Sequence, residues 1–374
     1  MIYNQFKDKK ISALGLGTMR FPVIGGKYGE IDEQKTEEIV EYAIKNGINY
    51  FDTAYGYHEG NSEKVIGKML SKYPRESFYL ADKFPGYDKN NFLKKESIFE
   101  EQLKKCGVDY FDFYLFHCVD DKNIEYYLNP EYKLKEYAYA QKQAGKIKHL
   151  GFSVHSNESN FLRFLEYYGD IIEFCQIQLN YVDYDFQNAK FKLEELNKRN
   201  IPVWVMEPVR GGKLAQIKQP LMDELKALRP SESACGWAFR YLQSFDCVKV
   251  ILSGMSTLEQ VVQNVQTFNS YEPLNEDELK TIYSVGKRLI YGVPCTNCKY
   301  CTAYCPQSLD IPALIKTYNE CTFNGYTIHK RAIEHLSEDK MPSACLSCGK
   351  CSEVCPQSIN IPDVLEDFNK RIEK

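Results

Sequence analysis

Residues 33–53, EQKTEEIVEYAIKNGINYFDT, contain the unit from which the fold of this chain is built. Glu33 to Lys45 has the apolar spacing of an amphipathic helix, and Gly47 follows it at a position where a helix C-cap favours positive φ. Asn49 to Thr53 is then a short β-prone run. A helix and a strand joined by a glycine turn form the building block of an α/β protein.

The same alternation continues along the chain. A second helical pattern runs from Lys94 to Lys105 and ends at Gly107, and the first residues, Met1 to Ile11, predict a short hairpin outside the repeating part. Eight strands alternating with helices over about 290 residues favour a closed (β/α)₈ barrel of the TIM type over an open doubly wound sheet. Besides residues 49–53, the predicted strands are 13–17, 79–83, 111–117, 149–154, 174–180, 202–206 and 248–253.

The composition is that of an ordinary globular protein. The 374 residues are 44% hydrophobic and 26% charged, and the formal net charge of −4 is spread without long blocks of one sign. No basic footprint for nucleic acid is present, and no apolar stretch approaches the ~18 residues that a membrane span needs. The start of the chain lacks the hydrophobic segment of a signal peptide, so we expect a cytoplasmic protein with small-molecule partners.

The cysteines point to a second, smaller domain. Nine of the 14 cysteines lie in the last 80 residues, where the pattern C-x₂-C-x₂-C-x₃-C-P occurs twice, fifty residues apart. This spacing is typical of bacterial [4Fe–4S] proteins. We therefore predict a (β/α)₈ barrel over residues 1–290 and an iron–sulfur domain over residues 291–374. The candidate metal ligands are Cys295, Cys298, Cys301, Cys305, Cys345, Cys348, Cys351 and Cys355.

The repeated cysteine runs resemble a two-cluster bacterial ferredoxin. The resemblance implies electron transfer, and it implies that the fourth cysteine of each run binds the other cluster: Cys355 joins the first run, and Cys305 joins the second. Structural zinc is the alternative, although zinc chemistry has no need of the third cysteine or the proline. Cys321 lies between the runs without a partner and is interpreted as a small buried hydrophobic residue.

Polar residues at the ends of three consecutive predicted strands suggest a catalytic site. Asp52, Lys83 and His117 end the second, third and fourth strands, and Tyr57 lies just beyond Asp52. The C-terminal edge of a barrel is where active sites lie. We expect Asp52 to hold the Lys83 ammonium, and the ammonium to lower the pKa of Tyr57 so that this phenol is a usable general acid. His117 can donate a hydrogen bond to a carbonyl oxygen that gains negative charge.

Three stretches of sequence carry a resemblance to a known family. Residues 51–57, FDTAYGY, and 60–63, GNSE, are similar to signatures of the aldo-keto reductases, and residues 109–117 are similar to the fourth-strand motif of that family. The resemblance extends from about residue 10 to 270. It implies a catalytic tetrad of Asp52, Tyr57, Lys83 and His117, in which Tyr57 donates a proton and a nicotinamide supplies hydride. The whole chain resembles the subgroup with a C-terminal ferredoxin-type extension.

The resemblance also implies residues that bind the cofactor. Ser153 and Gln176 match positions that bind the nicotinamide carboxamide, and Arg210 is a candidate for phosphate charge. Met255 and Val261 occupy positions where some members carry the cations that grip a 2′-phosphate, so the sequence leaves NADP or NAD open. The adenine-side candidates are Ser253, Gly254, Ser256, Gln260 and Asn264.

The sequence thus predicts an oxidoreductase of aldo-keto reductase type that acts on a carbonyl or alcohol and holds two [4Fe–4S] clusters. A hydride carries two electrons, whereas each cluster takes one, and no flavin signature is evident. A possible redox partner protein is one outlet for the cluster electrons. One alternative is a non-catalytic protein, either a redox-responsive nicotinamide-binding subunit or an electron-transfer protein. Another is a domain in which the clusters are only structural. The substrate depends on loops such as 19–22 and 84–87, whose courses the sequence does not show.

Overall fold

The computed structural model describes residues 1–289, 292, 293, 295, 297–324 and 333–372. The chain divides into two compact units, Met1–Tyr283 and Ser284–Lys374. The domain boundary that we predict near residue 290 lies outside the described residues.

The first unit is a closed barrel of eight parallel strands, as the sequence predicts. Each strand pairs with the next along the chain, and the last pairs with the first. A separate antiparallel hairpin, β1 (Tyr3–Phe6) with β2 (Lys9–Ser12), precedes the barrel, which confirms the predicted hairpin. The barrel strands are β3 (Leu14–Gly17), β4 (Tyr50–Asp52), β5 (Tyr79–Phe84), β6 (Phe111–Val119), β7 (Ile147–Val154), β8 (Phe174–Gln178), β9 (Val203–Met206) and β10 (Val248–Gly254).

Helices connect the strands and cover the outside of the barrel. The first is amphipathic as predicted, because Thr36, Ile39, Val40 and Ala43 share one buried face. The helices of this unit are α1 (Glu33–Lys45), α2 (Ser62–Leu70), α3 (Lys95–Cys106), α4 (Ile124–Tyr127), α5 (Leu134–Gln143), α6 (Glu158–Tyr168), α7 (Asp183–Phe186), α8 (Ala189–Lys198), α9 (Gln219–Leu228), α10 (Ala234–Gln243), α11 (Leu258–Thr267) and α12 (Glu276–Leu289), which runs on into the second unit.

The hairpin closes the N-terminal end of the barrel. Phe6 is buried, and its ring lies 5.1 Å from that of Trp204 and 5.7 Å from that of Phe113. Aromatic rings from several strands fill the interior at this level. Because this end is filled by apolar side chains, chemistry in the barrel is confined to the opposite, C-terminal edge.

Two strands end two residues away from the predicted positions, and the other barrel strands end within one residue of them. β8 stops at Gln178, because Asn180 Oδ1 accepts hydrogen bonds from the backbone of Val182 and Asp183 and so turns the chain into α7. β6 continues two residues past His117, and its register with β7 shifts between Phe116 and Val119. Such an irregularity is common beside active sites, where it re-aims a side chain.

The second unit has a small core of its own, to which its described residues contribute the helices α13 (Ile311–Asn324), α14 (Lys350–Glu353) and α15 (Ile361–Ile372). Ile311 and Ile361, fifty residues apart, each begin a helix after a cysteine run and are both 1% exposed. Cys321 is fully buried in this core, which confirms its interpretation as a small hydrophobic residue. Within the described parts of both units, no helix is long and apolar enough to cross a membrane.

Candidate active site and cysteine cavities

The barrel brings three of the four predicted catalytic residues to one edge through neighbouring strands. Asp52 ends β4, Lys83 lies near the end of β5, and His117 lies near the end of β6. These strands are parallel and paired in order, so their C-terminal ends are adjacent. Tyr57 begins a short 3₁₀ turn that follows β4.

Lys83 is the centre of the site. Its ammonium is fully buried and donates to Asp52 Oδ1 at 2.5 Å and to the carbonyl oxygen of Thr53 at 2.6 Å. The phenol oxygen of Tyr57 lies 3.5 Å from the same Nζ atom. One cation therefore links a carboxylate, a backbone carbonyl and a phenol.

The prediction that the Lys83 ammonium lowers the pKa of Tyr57 below its ordinary value is wrong. Burial raises the pKa of Tyr57 to about 12, and the opposing effect of the Lys83 ammonium offsets this only in part. Burial also raises the pKa of Asp52, against the effect of Lys83. At neutral pH the phenol consequently keeps its proton, as a donor must.

His117 completes the group. Its ring lies 5.8 Å from that of Tyr57, nearly perpendicular to it. Burial, with a smaller contribution from the Lys83 ammonium, lowers the pKa of His117 well below its usual range. The imidazole is therefore neutral and carries one N–H, and its Nδ1 has no partner among the described residues.

The two candidate carboxamide-binding residues are both buried at the strand ends of β7 and β8. Ser153 Oγ accepts a hydrogen bond from the backbone N–H of Cys118 at 2.8 Å, in the irregular stretch of β6. Gln176 is 3% exposed, and its Oε1 has no partner in the part of the chain that the structure describes. A buried acceptor without a donor is costly to fold, so this oxygen is free to accept a hydrogen bond from a ligand amide.

The adenine-side candidates lie close together at the end of β10 and the start of α11. Asn264 Nδ2 donates to Ser253 Oγ at 3.1 Å, and the backbone N–H of Ser256 donates to Gln260 Oε1 at 2.7 Å. Gly254 precedes Ser256 and is exposed. The structure thus brings these five residues into one linked segment.

Arg210 does not offer a free charge. It is 3% exposed, and its Nε donates to both carboxyl oxygens of Asp183 at 3.0 and 3.2 Å. Its charge is already matched by a buried carboxylate, which removes the ground for assigning it to a phosphate group. The sequence could not show this pairing, because Asp183 lies 27 residues away.

Arg20 is better placed than Arg210 to bind a phosphate group, although it was not among the residues predicted from the sequence. It is exposed, its side chain lies against Gly254, and a guanidinium nitrogen reaches the neighbourhood of Gly211. Its carbonyl oxygen accepts a hydrogen bond from Ser256 Oγ at 2.7 Å. The signal was available, since Arg20 is a cation three residues past the first barrel strand, at the same edge as the tetrad.

Tyr87 is the second residue that the sequence analysis did not single out. Its ring lies 5.7 Å from that of His117, and 49% of the residue is exposed. It belongs to the loop that follows β5 and Lys83. It therefore forms a wall of the barrel mouth next to the candidate catalytic histidine.

The eight motif cysteines fall into two groups of four, each lining a separate cavity. Cys305 lies with Cys345, Cys348 and Cys351 around one cavity. The other cavity is lined by Cys295, Cys298, Cys301 and Cys355. In both groups the fourth cysteine comes from the other run, which is the grouping that the ferredoxin resemblance implies.

Each group of four cysteines lines a cavity and does not converge on the position of a single metal ion. Among the described residues, no three acidic, histidine or cysteine side chains lie close enough together to hold one metal ion. All 14 cysteines are free of disulfides. Two groups of four thiols around cavities match the ligand set of a cluster better than that of a single zinc ion.

The two cysteine runs also share their backbone conformation. Residues in the left-handed region recur fifty positions apart, at Asn297 and Ser347, at Lys299 and Gly349, and at Ser308 and Ser358. Such turns let a short segment curl so that its thiols face inward. The internal repeat of the sequence is therefore a repeat of structure.

Comparison with known proteins agrees with both units. The model of the Aldo/keto reductase family matches residues 13–287, and that of the 4Fe-4S dicluster domain matches residues 294–359. The chain is 29% identical to the NADH-specific methylglyoxal reductase of Escherichia coli (strain K12) over 227 residues, which cover 55% of this chain and 66% of that protein. It is 26% identical to the uncharacterized oxidoreductase YqkF of Bacillus subtilis (strain 168) over 317 residues, which cover 76% of this chain and 95% of that one.

A solved structure shows the same architecture in the barrel. The holo form of the aldo-keto reductase AKR11C1 from Bacillus halodurans superimposes with a TM-score of 0.60 and 26% identity, covering 76% of this chain and 96% of that one. The barrel, the arrangement of the four candidate residues and the family match over most of the chain lead to one conclusion. This chain belongs to the aldo/keto reductase family and carries in addition a C-terminal ferredoxin-type domain of the 4Fe-4S dicluster kind.

Proposed function

We propose that the barrel transfers hydride between a nicotinamide cofactor and the carbonyl or alcohol carbon of a small substrate. The observation that carries this proposal is the Lys83 ammonium, which is held by Asp52 at 2.5 Å and lies 3.5 Å from the phenol of Tyr57. A protein that only bound a nicotinamide would have no use for a buried proton donor with a cation at its oxygen.

Each residue of the tetrad has a distinct task in this proposal. Tyr57 gives its proton to the carbonyl oxygen as that oxygen gains negative charge. The Lys83 ammonium stabilises the phenolate that this donation leaves, which offsets part of the effect of burial on the Tyr57 pKa. Neutral His117 donates a hydrogen bond to the same carbonyl oxygen and so holds the substrate in place.

The residues present fit a nicotinamide. The unpaired Oε1 of buried Gln176 can accept a hydrogen bond from a carboxamide N–H, and Ser153 lies on the neighbouring strand. Arg20, exposed beside Gly254 and Gly211, supplies positive charge for phosphate groups in place of Arg210. A reduced nicotinamide supplies the hydride when it is bound.

A small carbonyl compound is the substrate class that best suits the site. The Escherichia coli relative is named for reduction of methylglyoxal, a small dicarbonyl, and for NADH. In this chain Tyr87 narrows the barrel mouth beside His117. We extend the carbonyl class to this chain and leave the choice between NADH and NADPH to binding measurements.

The second unit, in this proposal, holds two [4Fe–4S] clusters. Cys295, Cys298, Cys301 and Cys355 bind one, and Cys305, Cys345, Cys348 and Cys351 bind the other, in accord with the two cavities. Each cluster carries one electron. Because a hydride carries two, we propose that the clusters exchange electrons with a separate redox protein.

Replacement of Tyr57 by Phe tests the proposal for the barrel. The variant keeps the ring and loses the donor, so we expect turnover in carbonyl reduction to fall about 100-fold or more while the affinity for NADH or NADPH stays within about twofold. Cofactor affinity is measured by fluorescence titration of the same protein preparation. Full turnover by the variant would show that Tyr57 is not the proton donor.

A further inference from the structure

A second group of ionisable side chains lies directly behind Lys83. Successive residues of a strand point to opposite faces, so Asp82 points away from the barrel interior and toward α2 and α3. There it meets Glu63 of α2 and Cys106 of α3, and both Asp82 and Glu63 are fully buried. The two helices are in close contact here, because a Cβ on Gly67 would lie 2.4 Å from the carbonyl oxygen of Cys106.

The buried carboxyl groups outnumber the cations that face them. Lys105 Nζ lies 3.1 Å from Glu63 Oε2, but it also pairs with Glu101 at 2.8 Å. The ammonium of Lys83 lies on the other face of the strand and is paired with Asp52. Two fully buried carboxylates would therefore share part of one positive charge, which is strongly unfavourable.

The hydrogen bonds of this group lack one donor. Asp82 Oδ1 accepts from the backbone N–H of Lys83 at 2.8 Å, and Asp82 Oδ2 faces Cys106 Sγ at 3.9 Å. Neither oxygen of Glu63 receives a well-directed hydrogen bond from the described residues. The carboxyl groups of Glu63 and Asp82 are within hydrogen-bonding reach of each other, so one proton between them supplies the missing donor.

The pKa shifts of the two carboxyl groups also indicate that they hold a proton. Burial, reinforced by the neighbouring Glu63, raises the pKa of Asp82 well above its usual range. Burial also raises the pKa of Glu63, against the opposing effects of Lys105, Asp82 and Gln102. Both shifts favour a proton that stays on the pair at neutral pH.

We propose that Glu63 and Asp82 share one proton and act together as a positioning pair for Lys83. The pair then carries a single negative charge, which Lys105 matches. Its role in positioning rests on the proposed function of the barrel, whereas the shared proton does not.

The positioning acts through the backbone of Lys83. Its N–H is held by Asp82, and its carbonyl oxygen accepts from Gln102 Nε2 at 3.0 Å. Gln102 is fixed in turn by the hydroxyl of Tyr114, which donates to its Oε1 at 2.6 Å. Both backbone groups of Lys83 are thus bound by side chains that themselves have partners, and this fixes the strand end from which the ammonium reaches Tyr57.

Infrared spectroscopy of the anaerobically purified full chain tests the shared proton without any assay of activity. We expect a carbonyl stretching band of a protonated carboxyl group near neutral pH in the wild type. Glu63→Gln and Asp82→Asn keep the shape and the single charge but need no shared proton, so each removes that band. Glu101→Gln, a control in the same network with a side chain 46% exposed, keeps it. A wild-type spectrum identical to those of the two amide variants would overturn the proposal.

Kinetics of isosteric and truncated variants test the positioning. We expect Asp82→Asn to keep turnover within about twofold of the wild type, because the amide still accepts from the Lys83 N–H and donates to Glu63. Asp82→Ala is expected to lower turnover about tenfold or more with unchanged cofactor affinity, since small displacements at a reacting group are costly. Equal turnover of the Asn and Ala variants would contradict a positioning role. A fully active Tyr57→Phe enzyme, by contrast, would refute the proposed function and leave the infrared result standing.

Discussion

Tyr57 shows how burial and a neighbouring charge compete at a single residue. The sequence correctly indicates that a lysine and a tyrosine meet at the strand ends, because both lie at the C-terminal edge of neighbouring elements. It does not show how deeply the phenol is buried, and burial outweighs the ammonium to give a pKa of about 12. Chemical type and position are readable from a sequence, whereas the loss of solvent depends on the assembled fold.

The two arginines illustrate the same limit. Arg210 lies in a glycine-rich segment that suits a phosphate site, but a buried pair with Asp183 takes up its charge. Arg20 lies in a loop that the sequence marks only as pocket-shaping, and it is exposed beside Gly254. A contact between positions far apart in the chain decides which cation is available.

Arg20→Ala is expected to weaken cofactor binding without changing the chemical step. Loss of one charge-assisted hydrogen bond to a phosphate is worth about 1.4 kcal/mol, so the KM for the nicotinamide cofactor should rise about tenfold while kcat stays the same. Steady-state kinetics with varied cofactor measure both constants. Arg199→Ala is the matched control, because this arginine directly follows the surface helix α8 and pairs there with Glu195. An unchanged KM in Arg20→Ala would place the phosphates elsewhere.

At the scale of elements, a carboxylate helps to hold the hairpin against the barrel. Glu173, just before β8, accepts hydrogen bonds from Lys142 at 2.6 Å and His149 at 2.7 Å, and it pairs with Lys7 in the turn between β1 and β2. Burial alone would raise the pKa of Glu173, but these three donors outweigh it and lower the pKa from 4.5 to about 2. Ionised Glu173 therefore stabilises the folded barrel.

Glu173→Gln is expected to reduce the free energy of unfolding by about 3 kcal/mol at neutral pH. A carboxyl group with a lowered folded-state pKa contributes stability above its ordinary pKa and loses it as the pH falls toward the folded value. The difference between wild type and variant should therefore shrink by about half between pH 7 and pH 3.

Urea unfolding followed by tryptophan fluorescence reports on the barrel, because both tryptophans, Trp204 and Trp237, lie in it. Glu194→Gln, whose side chain is 53% exposed and only 3.9 Å from Lys190, should change stability little at either pH. A pH-independent difference for Glu173→Gln would show that the ion pairs do not account for its effect.

The elements themselves were largely predictable. Eight β-prone runs between amphipathic segments correspond to the eight barrel strands, and Gly107 has the positive φ of 64° that its place after α3 requires. The irregularity at the end of β6 was not predictable. It places Cys118 at a φ of 55° and its N–H on Ser153, and hydrophobic periodicity carries no signal for such a local departure.

At the scale of the whole molecule, the chain joins an aldo/keto reductase barrel to a domain of the 4Fe-4S dicluster kind. The sequence indicates that a second domain follows the barrel, because closely spaced cysteines begin abruptly near residue 295. The spacing alone does not show which four cysteines share a cluster. That the fourth cysteine of each run joins the other run was implied only by the ferredoxin resemblance. The two cavities of the structure show the same grouping.

The iron content of two cysteine variants tests the proposed ligand set. Cys305→Ser is expected to lower iron and sulfide in anaerobically purified protein by about half, because one of two clusters loses a thiolate. Cys321→Ala removes a thiol that lies between the two runs in the sequence but is buried in the core. This variant should keep its full iron content. Equal iron loss in both variants would indicate general unfolding of the second unit and not loss of a ligand.

The most direct test of the account follows deuterium from the cofactor to the product. Anaerobic, cluster-replete protein is given a small dicarbonyl compound with NADH or NADPH that carries deuterium on the transferable position of the ring, and the alcohol is analysed by mass spectrometry. We expect one deuterium on the new carbinol carbon of each product molecule, with no added electron carrier. Product that forms only when an external one-electron donor is present, and that contains no deuterium, would contradict it.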